Sequence, residues 1–148
     1  MHRHHHHQVG ILFQDDEIRS EKHLLPPLLA KYKMLLYSGQ FDINVGAPGT
    51  ELLLNTLAWP GLEDYRSAKR QIWRVRLTES QHCISGARSH RLASLVVEQL
   101  AGDVVGYAKQ ARSLTYVLVN GAGHMVPATQ PASALDMINR FINNLPFS

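Results

Sequence analysis

Two short, unbroken apolar runs constrain this chain more than any other feature: Met34-Leu35-Leu36-Tyr37, entered through Lys33, and Thr115-Tyr116-Val117-Leu118-Val119. A strand with one wet face alternates apolar and polar residues, and neither run does. Each therefore fits a strand buried on both faces, as in a parallel sheet. Each also stops at turn-forming residues, Ser38-Gly39 in the first case and Asn120-Gly121-Ala122-Gly123 in the second. Asp42 is thus expected just past the carboxyl end of one strand, and His124 in the same position after the other.

The segments between these runs supply the other layers. Asp15 to Lys31 reads as a helix through Ile18, Leu24, Leu25, Leu28 and Leu29, which Pro26 and Pro27 must break or restart. A helix is predicted over Thr50 to Trp59, after Pro48-Gly49 and before Pro60-Gly61, and another from Leu62 to about Arg70. Gln71-Ile72-Trp73-Arg74-Val75 and Val104-Val105-Gly106-Tyr107-Ala108 form a candidate antiparallel pair. The polar residues 77–101 between them, with a possible helix from Arg91 to Leu100, look like an insertion. A last helix from about Pro131 to Leu145 carries Leu135, Ile138, Phe141, Ile142 and Leu145 at helical spacing, a stripe expected to pack on the sheet. Strand, helices, hairpin, strand and helix in that order imply one edge of an α/β sheet with flanking helices.

Composition narrows the function classes. With 148 residues, 45% hydrophobic and 18% charged, the chain has the size and balance of one globular domain. Much of the +3 net charge lies in Arg66, Lys69, Arg70, Arg74 and Arg76, a pattern that reads as a solvated face and not as a nucleic-acid patch. No apolar run reaches the roughly 18 residues of a membrane span, so no membrane partner is expected. Cys83 stands alone, which excludes an intrachain disulfide. His2, His4, His5, His6 and His7 belong to a tail over 1–14 that reads as disordered, with no apolar stretch behind it to act as a signal-peptide core. A metal site built from this tract with His82, Cys83 and His90 is disfavoured, because the spacing matches no closed zinc site. No cofactor is expected.

Asp42 and His124 are the candidate residues for chemistry. In an acyl-transfer enzyme of the α/β-hydrolase type, the nucleophilic serine is followed along the chain by an acid and then a histidine. A carboxylate and an imidazole on loops leaving the same edge of a parallel sheet can meet across a long stretch of sequence.

Leu36-Tyr37-Ser38-Gly39-Gln40-Phe41-Asp42 and Val119-Asn120-Gly121-Ala122-Gly123-His124-Met125-Val126-Pro127, followed by Gln130-Pro131, resemble the two C-terminal signatures of serine carboxypeptidases. In wording they are nearest the vitellogenic-like and retinoid-inducible types. Trp73-Arg74-Val75, Gly106-Tyr107 and the segment Ala134 to Ile142 agree with the same family. The resemblance implies the C-terminal portion of an α/β-hydrolase domain over 15–148, incomplete as a domain and interrupted at 77–101. It implies an enzyme that removes the C-terminal residue of peptides through an acyl-enzyme, as family members do in secreted, lysosomal or vacuolar settings. Asp42 matches the family's catalytic acid, His124 its base, and Met125 a residue lining the subsite for the leaving residue.

The pattern is not followed throughout. No Gly-x-Ser-x-Gly occurs in the 148 residues, so the chain alone is expected to be inactive, its serine belonging to an N-terminal portion that could be a partner. Many family members carry an acidic residue where this chain has Gln40, and some where it has Thr129. A non-catalytic binding or regulatory fragment, and an acyltransferase with the same acid and base, remain alternatives to the peptidase.

Overall fold

A computed structural model describes Phe13, residues 19–75 and residues 103–147. The His-rich tract, the proposed insertion 77–101 with its candidate helix, and His82, Cys83 and His90 lie outside the described residues. Among the described residues no helix is long and apolar enough to cross a membrane.

Both apolar runs are strands. β1 (Met34–Gly39) and β4 (Leu114–Val119) pair in parallel, from Met34 opposite Leu114 to Gly39 opposite Val119. β2 (Gln71–Val75) and β3 (Asp103–Ala111) pair antiparallel, as the sequence leads one to expect, with an irregularity between Trp73 and Arg74. β3 runs on past Ala108 and returns as β4 through Arg112 and Ser113, giving a four-stranded mixed sheet in the order β1-β4-β3-β2.

The sheet has a core on each face, which explains why β1 and β4 carry no polar alternation. On one face Trp73, Val75, Ala108, Val117, Val119, Ala122, Val126, Ala134, Met137 and Phe147 are buried together. On the other, Leu114 and Tyr116 of β4 pack with Leu29, Leu54, Leu57, Trp59 and Tyr65, flanked by Met34 and Leu36 of β1. Adjacent residues of β4 thus face opposite cores.

The helices begin where proline tolerates a start. A 3-10 turn (Lys22–Leu24) leads into α1 (Leu25–Leu29), where Pro26 and Pro27 occupy the first turn, so they restart the helix. α2 (Ala47–Thr56) opens earlier than predicted, because Pro48 sits in its first turn instead of preceding it, and it closes before Trp59. The Arg66 guanidinium, on α3 (Leu62–Ser67), donates to the Asn55 carbonyl at the end of α2 (2.8 Å) and so satisfies one of its open acceptors. A short α4 (Val126–Thr129), not foreseen from the sequence, precedes α5 (Pro131–Asn143).

Most of the apolar stripe assigned to α5 does not pack on the described strands, although Phe141 is half-buried. Leu135, Ile138, Ile142 and the following Leu145 are exposed, whereas Ser133, Ala134 and Met137 are buried. Small side chains at 133 and 134 suit a close approach to the sheet. Asp136 fixes the rotation, since its Oδ2 accepts from Trp73 Nε1 (2.8 Å) and from Arg140 Nε (2.6 Å). Trp73 also meets Phe147 edge to face, with ring centroids 5.6 Å apart.

Candidate active site

Parallel pairing of β1 with β4 brings two loops to one edge of the sheet. The loop after β1 is tied to the loop after β4 by Gln40 N donating to the Val119 carbonyl (2.9 Å) and Phe41 N donating to the Ala122 carbonyl (2.8 Å). Gly39 makes this closeness possible. A Cβ there would lie 2.2 Å from the Gly123 carbonyl oxygen and 2.5 Å from that of Ala122.

Within this junction, His124 Nδ1 and Asp42 Oδ2 are 3.0 Å apart across 82 residues of sequence. The other oxygen, Oδ1, accepts from the backbone amides of Asn44 (2.9 Å) and Val45 (3.0 Å), an Asx-type turn that fixes the carboxylate's orientation. The Val45 amide and then the His124 ring hold the Asp42 carboxyl below the usual carboxylate range, against a smaller opposing push from burial. Asp42's side chain is only 6% exposed, while that of His124 is 53% exposed. With Nδ1 engaged by the carboxylate, Nε2 is the ring nitrogen left for an incoming group, and among the described residues nothing bonds it. An oriented, exposed imidazole backed by a fixed carboxylate can take a proton from a hydroxyl and return it to a leaving amine.

Met125 follows as the cap of α4 and is 65% exposed, beside the pair in sequence. Phe41 and Val45 are also exposed on this rim, as is Ile43 at 95%. Sequence reasoning missed four contributors. The Asn44 and Val45 amides were signalled only by an aspartate followed by turn residues, while Gln40 and Gln130, which bond the backbone of Gly121, carried no local signal. Among the described residues no cluster of histidine, cysteine or acidic side chains could hold a metal.

A cleft of about 330 Å³ lies at the opposite end of the sheet, lined in part by Lys33, Arg112, Ser113 and Arg140. Its cations are already committed: Lys33 to Asn144 and the Phe141 carbonyl, Arg112 to Asp64, and Arg140 to Asp136. The acid–imidazole pair, and not this cleft, is the group with reactive geometry.

The sequence model of the serine carboxypeptidase family matches residues 2–144. The chain belongs to the serine carboxypeptidase family. It is 37% identical to a probable serine carboxypeptidase CPVL of Dictyostelium discoideum, over 94% of this chain and 23% of the relative. It is 39% identical to a venom serine carboxypeptidase of Apis mellifera, over 89% of this chain and again 23% of the relative. The chain therefore spans about a quarter of the length of these curated relatives. Among solved structures, the prohormone-processing carboxypeptidase Kex1(Δ)p of Saccharomyces cerevisiae superimposes with a TM-score of 0.62 at 24% identity, covering 83% of this chain and 22% of that one. The likeness shows the fold, part of an α/β-hydrolase domain.

Proposed function

We propose that this chain supplies the acid and the base of a serine carboxypeptidase, Asp42 and His124, to a nucleophilic serine carried by a polypeptide segment outside the 148 residues. The observation carrying this reading is the 3.0 Å contact between His124 Nδ1 and Asp42 Oδ2, on loops leaving the same edge of two parallel strands. That arrangement presents Nε2 to a serine hydroxyl. The serine proton passes to Nε2 as Oγ bonds the scissile carbonyl carbon, and the imidazolium formed is stabilised by Asp42. On collapse the C–N bond breaks and the proton goes to the departing amino acid. Water then repeats the sequence: its oxygen bonds the acyl carbon as its proton passes to Nε2, the C–Oγ bond breaks, and the shortened peptide leaves while the proton returns to the serine oxygen. The Asp42 carboxyl, held below the usual range by the Val45 amide and the His124 ring, stays ionised further into acid than an ordinary aspartate. Met125, with its exposed side chain, would meet the leaving residue.

The test is complementation. Mixed with the N-terminal portion of a full-length family member, the chain should restore release of the C-terminal residue from a blocked dipeptide at acidic pH, and neither part should act alone. His124→Ala should lower the rate by three or more orders of magnitude. Turnover that survives that substitution would overturn the assignment. Adding an alcohol acceptor to the same assay separates hydrolysis from acyl transfer, since a transferase gives the ester as its main product.

A further inference from the structure

From the loop contacts we infer that Gln40 and Gln130 are positioning residues that clamp the backbone of Gly121 and thereby set the His124 loop against Asp42. The inference rests on the acid–base reading of that pair. Gly121 has φ +67, a left-handed conformation that gives the chain its turn between the end of β4 and His124. Both of its backbone polar groups are held by side chains from elsewhere. Gly121 N donates to Gln40 Oε1 (3.0 Å), and the Gly121 carbonyl accepts from Gln130 Nε2 (3.3 Å). A Cβ at 121 would lie 2.9 Å from Gln130 Nε2, so this amide sits directly against the α-carbon.

Both clamps are anchored at fixed points. The backbone of Gln40 is itself bonded to Val119, the last residue of β4, and lies two residues before Asp42. Gln130 joins α4 to α5: its N donates to the Val126 carbonyl (2.8 Å) and its carbonyl accepts from Ala134 N (2.9 Å). The loop is therefore held from the acid side by one glutamine and from the helix side by the other. The chemistry of the two positions is opposite. Gly121 N can only donate, so position 40 must present an acceptor, and the Gly121 carbonyl can only accept, so position 130 must present a donor.

That opposition gives a test that a merely space-filling role would not pass. The readout is the tautomer of neutral His124 in the 148-residue chain, from ring ¹⁵N chemical shifts, because Asp42 favours the form protonated on Nδ1. Gln40→Glu keeps the acceptor and should retain the wild-type tautomer ratio. Gln130→Glu replaces the donor with a carboxylate facing a carbonyl oxygen, and should lower the share of the Nδ1–H form relative to Nε2–H by about tenfold, as expected for loss of a hydrogen bond to a charged acceptor. Gln40→Met, which fills the space without an acceptor, should do the same. Both glutamate variants are near-isosteric, and circular dichroism melts check that each folds. Equal behaviour of Gln40→Glu and Gln130→Glu, or a wild-type ratio in Gln40→Met, overturns the clamp. Asp42→Asn is the control: if it leaves the tautomer unchanged, the pair itself is misassigned. If the tautomers behave as stated but complemented activity survives His124→Ala, the catalytic reading fails and the clamp stands.

Discussion

Gly39→Ala should separate the two loops of the site and destabilise the fold together. The added Cβ would lie 2.2 Å from the Gly123 carbonyl oxygen, 2.5 Å from that of Ala122 and 2.8 Å from the Ala122 carbonyl carbon. Ordinary contact begins near 3.4 Å, so relief requires a displacement of 3.4 − 2.2 = 1.2 Å. The obstructing atoms are all backbone, and no rotamer change can absorb it. Carried into the 3.0 Å contact between His124 and Asp42, the same displacement gives 3.0 + 1.2 = 4.2 Å, which is no longer a hydrogen bond. The strain of overpacking costs about 1–3 kcal/mol, and the rigid surroundings argue for the upper end. Urea unfolding followed by far-UV circular dichroism should show a lower midpoint at unchanged slope, and the His124 tautomer should lose its Nδ1–H preference. Gly49→Ala is the matched comparison: its Cβ would meet nothing within 4 Å, and alanine in α2 should stabilise by up to about 1 kcal/mol. A Gly39→Ala chain with the wild-type midpoint and tautomer would refute the argument that these glycine contacts set the site.

Three further outcomes follow from burial and titration. Leu54→Ala, at a fully buried position facing Tyr65 and Tyr116, should lower unfolding free energy by about 2–5 kcal/mol in the same urea assay. The Asp42 carboxyl, depressed in the folded chain, contributes stability that is present above its ordinary pKa of about 4 and is lost as pH falls through the folded value. Urea midpoints measured from pH 6 down to about pH 2 should therefore fall less in Asp42→Asn than in wild type. Burial pushes the phenols of Tyr65 and Tyr116 up, with the Glu51 charge adding to the same effect, so their contribution is intact below the ordinary tyrosine pKa of about 10 and fades as pH rises beyond it. In an ultraviolet phenolate titration, these two of the five tyrosines should ionise only as the chain unfolds.

The sequence exposes what depends on local patterns and hides what depends on long-range fit. Met34 to Tyr37 and Thr115 to Val119 were legible as strands because neither run alternates apolar with polar residues. β4 is largely buried as expected, whereas on β1, at the edge of the described sheet, Met34 to Leu36 are half-buried and Tyr37 is exposed. Their polar endings then located Asp42 and His124 at one sheet edge. The start of α2 was misread because Pro48 is both a breaker and a favoured first-turn residue, and only the structure shows which role it takes. The face of α5 was misread because apolar periodicity does not say which side meets the sheet. There the bonds from Trp73 and Arg140 to Asp136 decided. The glutamine clamp joins positions 40 and 121, 81 residues apart, and no local pattern announces such a pair.

The register of β1 on β4 bears on the order in which the molecule assembles. Every partner pair from Met34–Leu114 to Gly39–Val119 is separated by the same 114 − 34 = 80 residues, so closing this ladder means closing one long loop. The β3–β4 hairpin, turned by Arg112 and Ser113, closes over only a few residues and can form early. The acid then arrives on a strand that docks late, and the base waits on a strand already in place. Pulsed hydrogen exchange during refolding should protect the β3–β4 amides before those of β1. Protection of both together would show that the long loop closes in the same step as the hairpin.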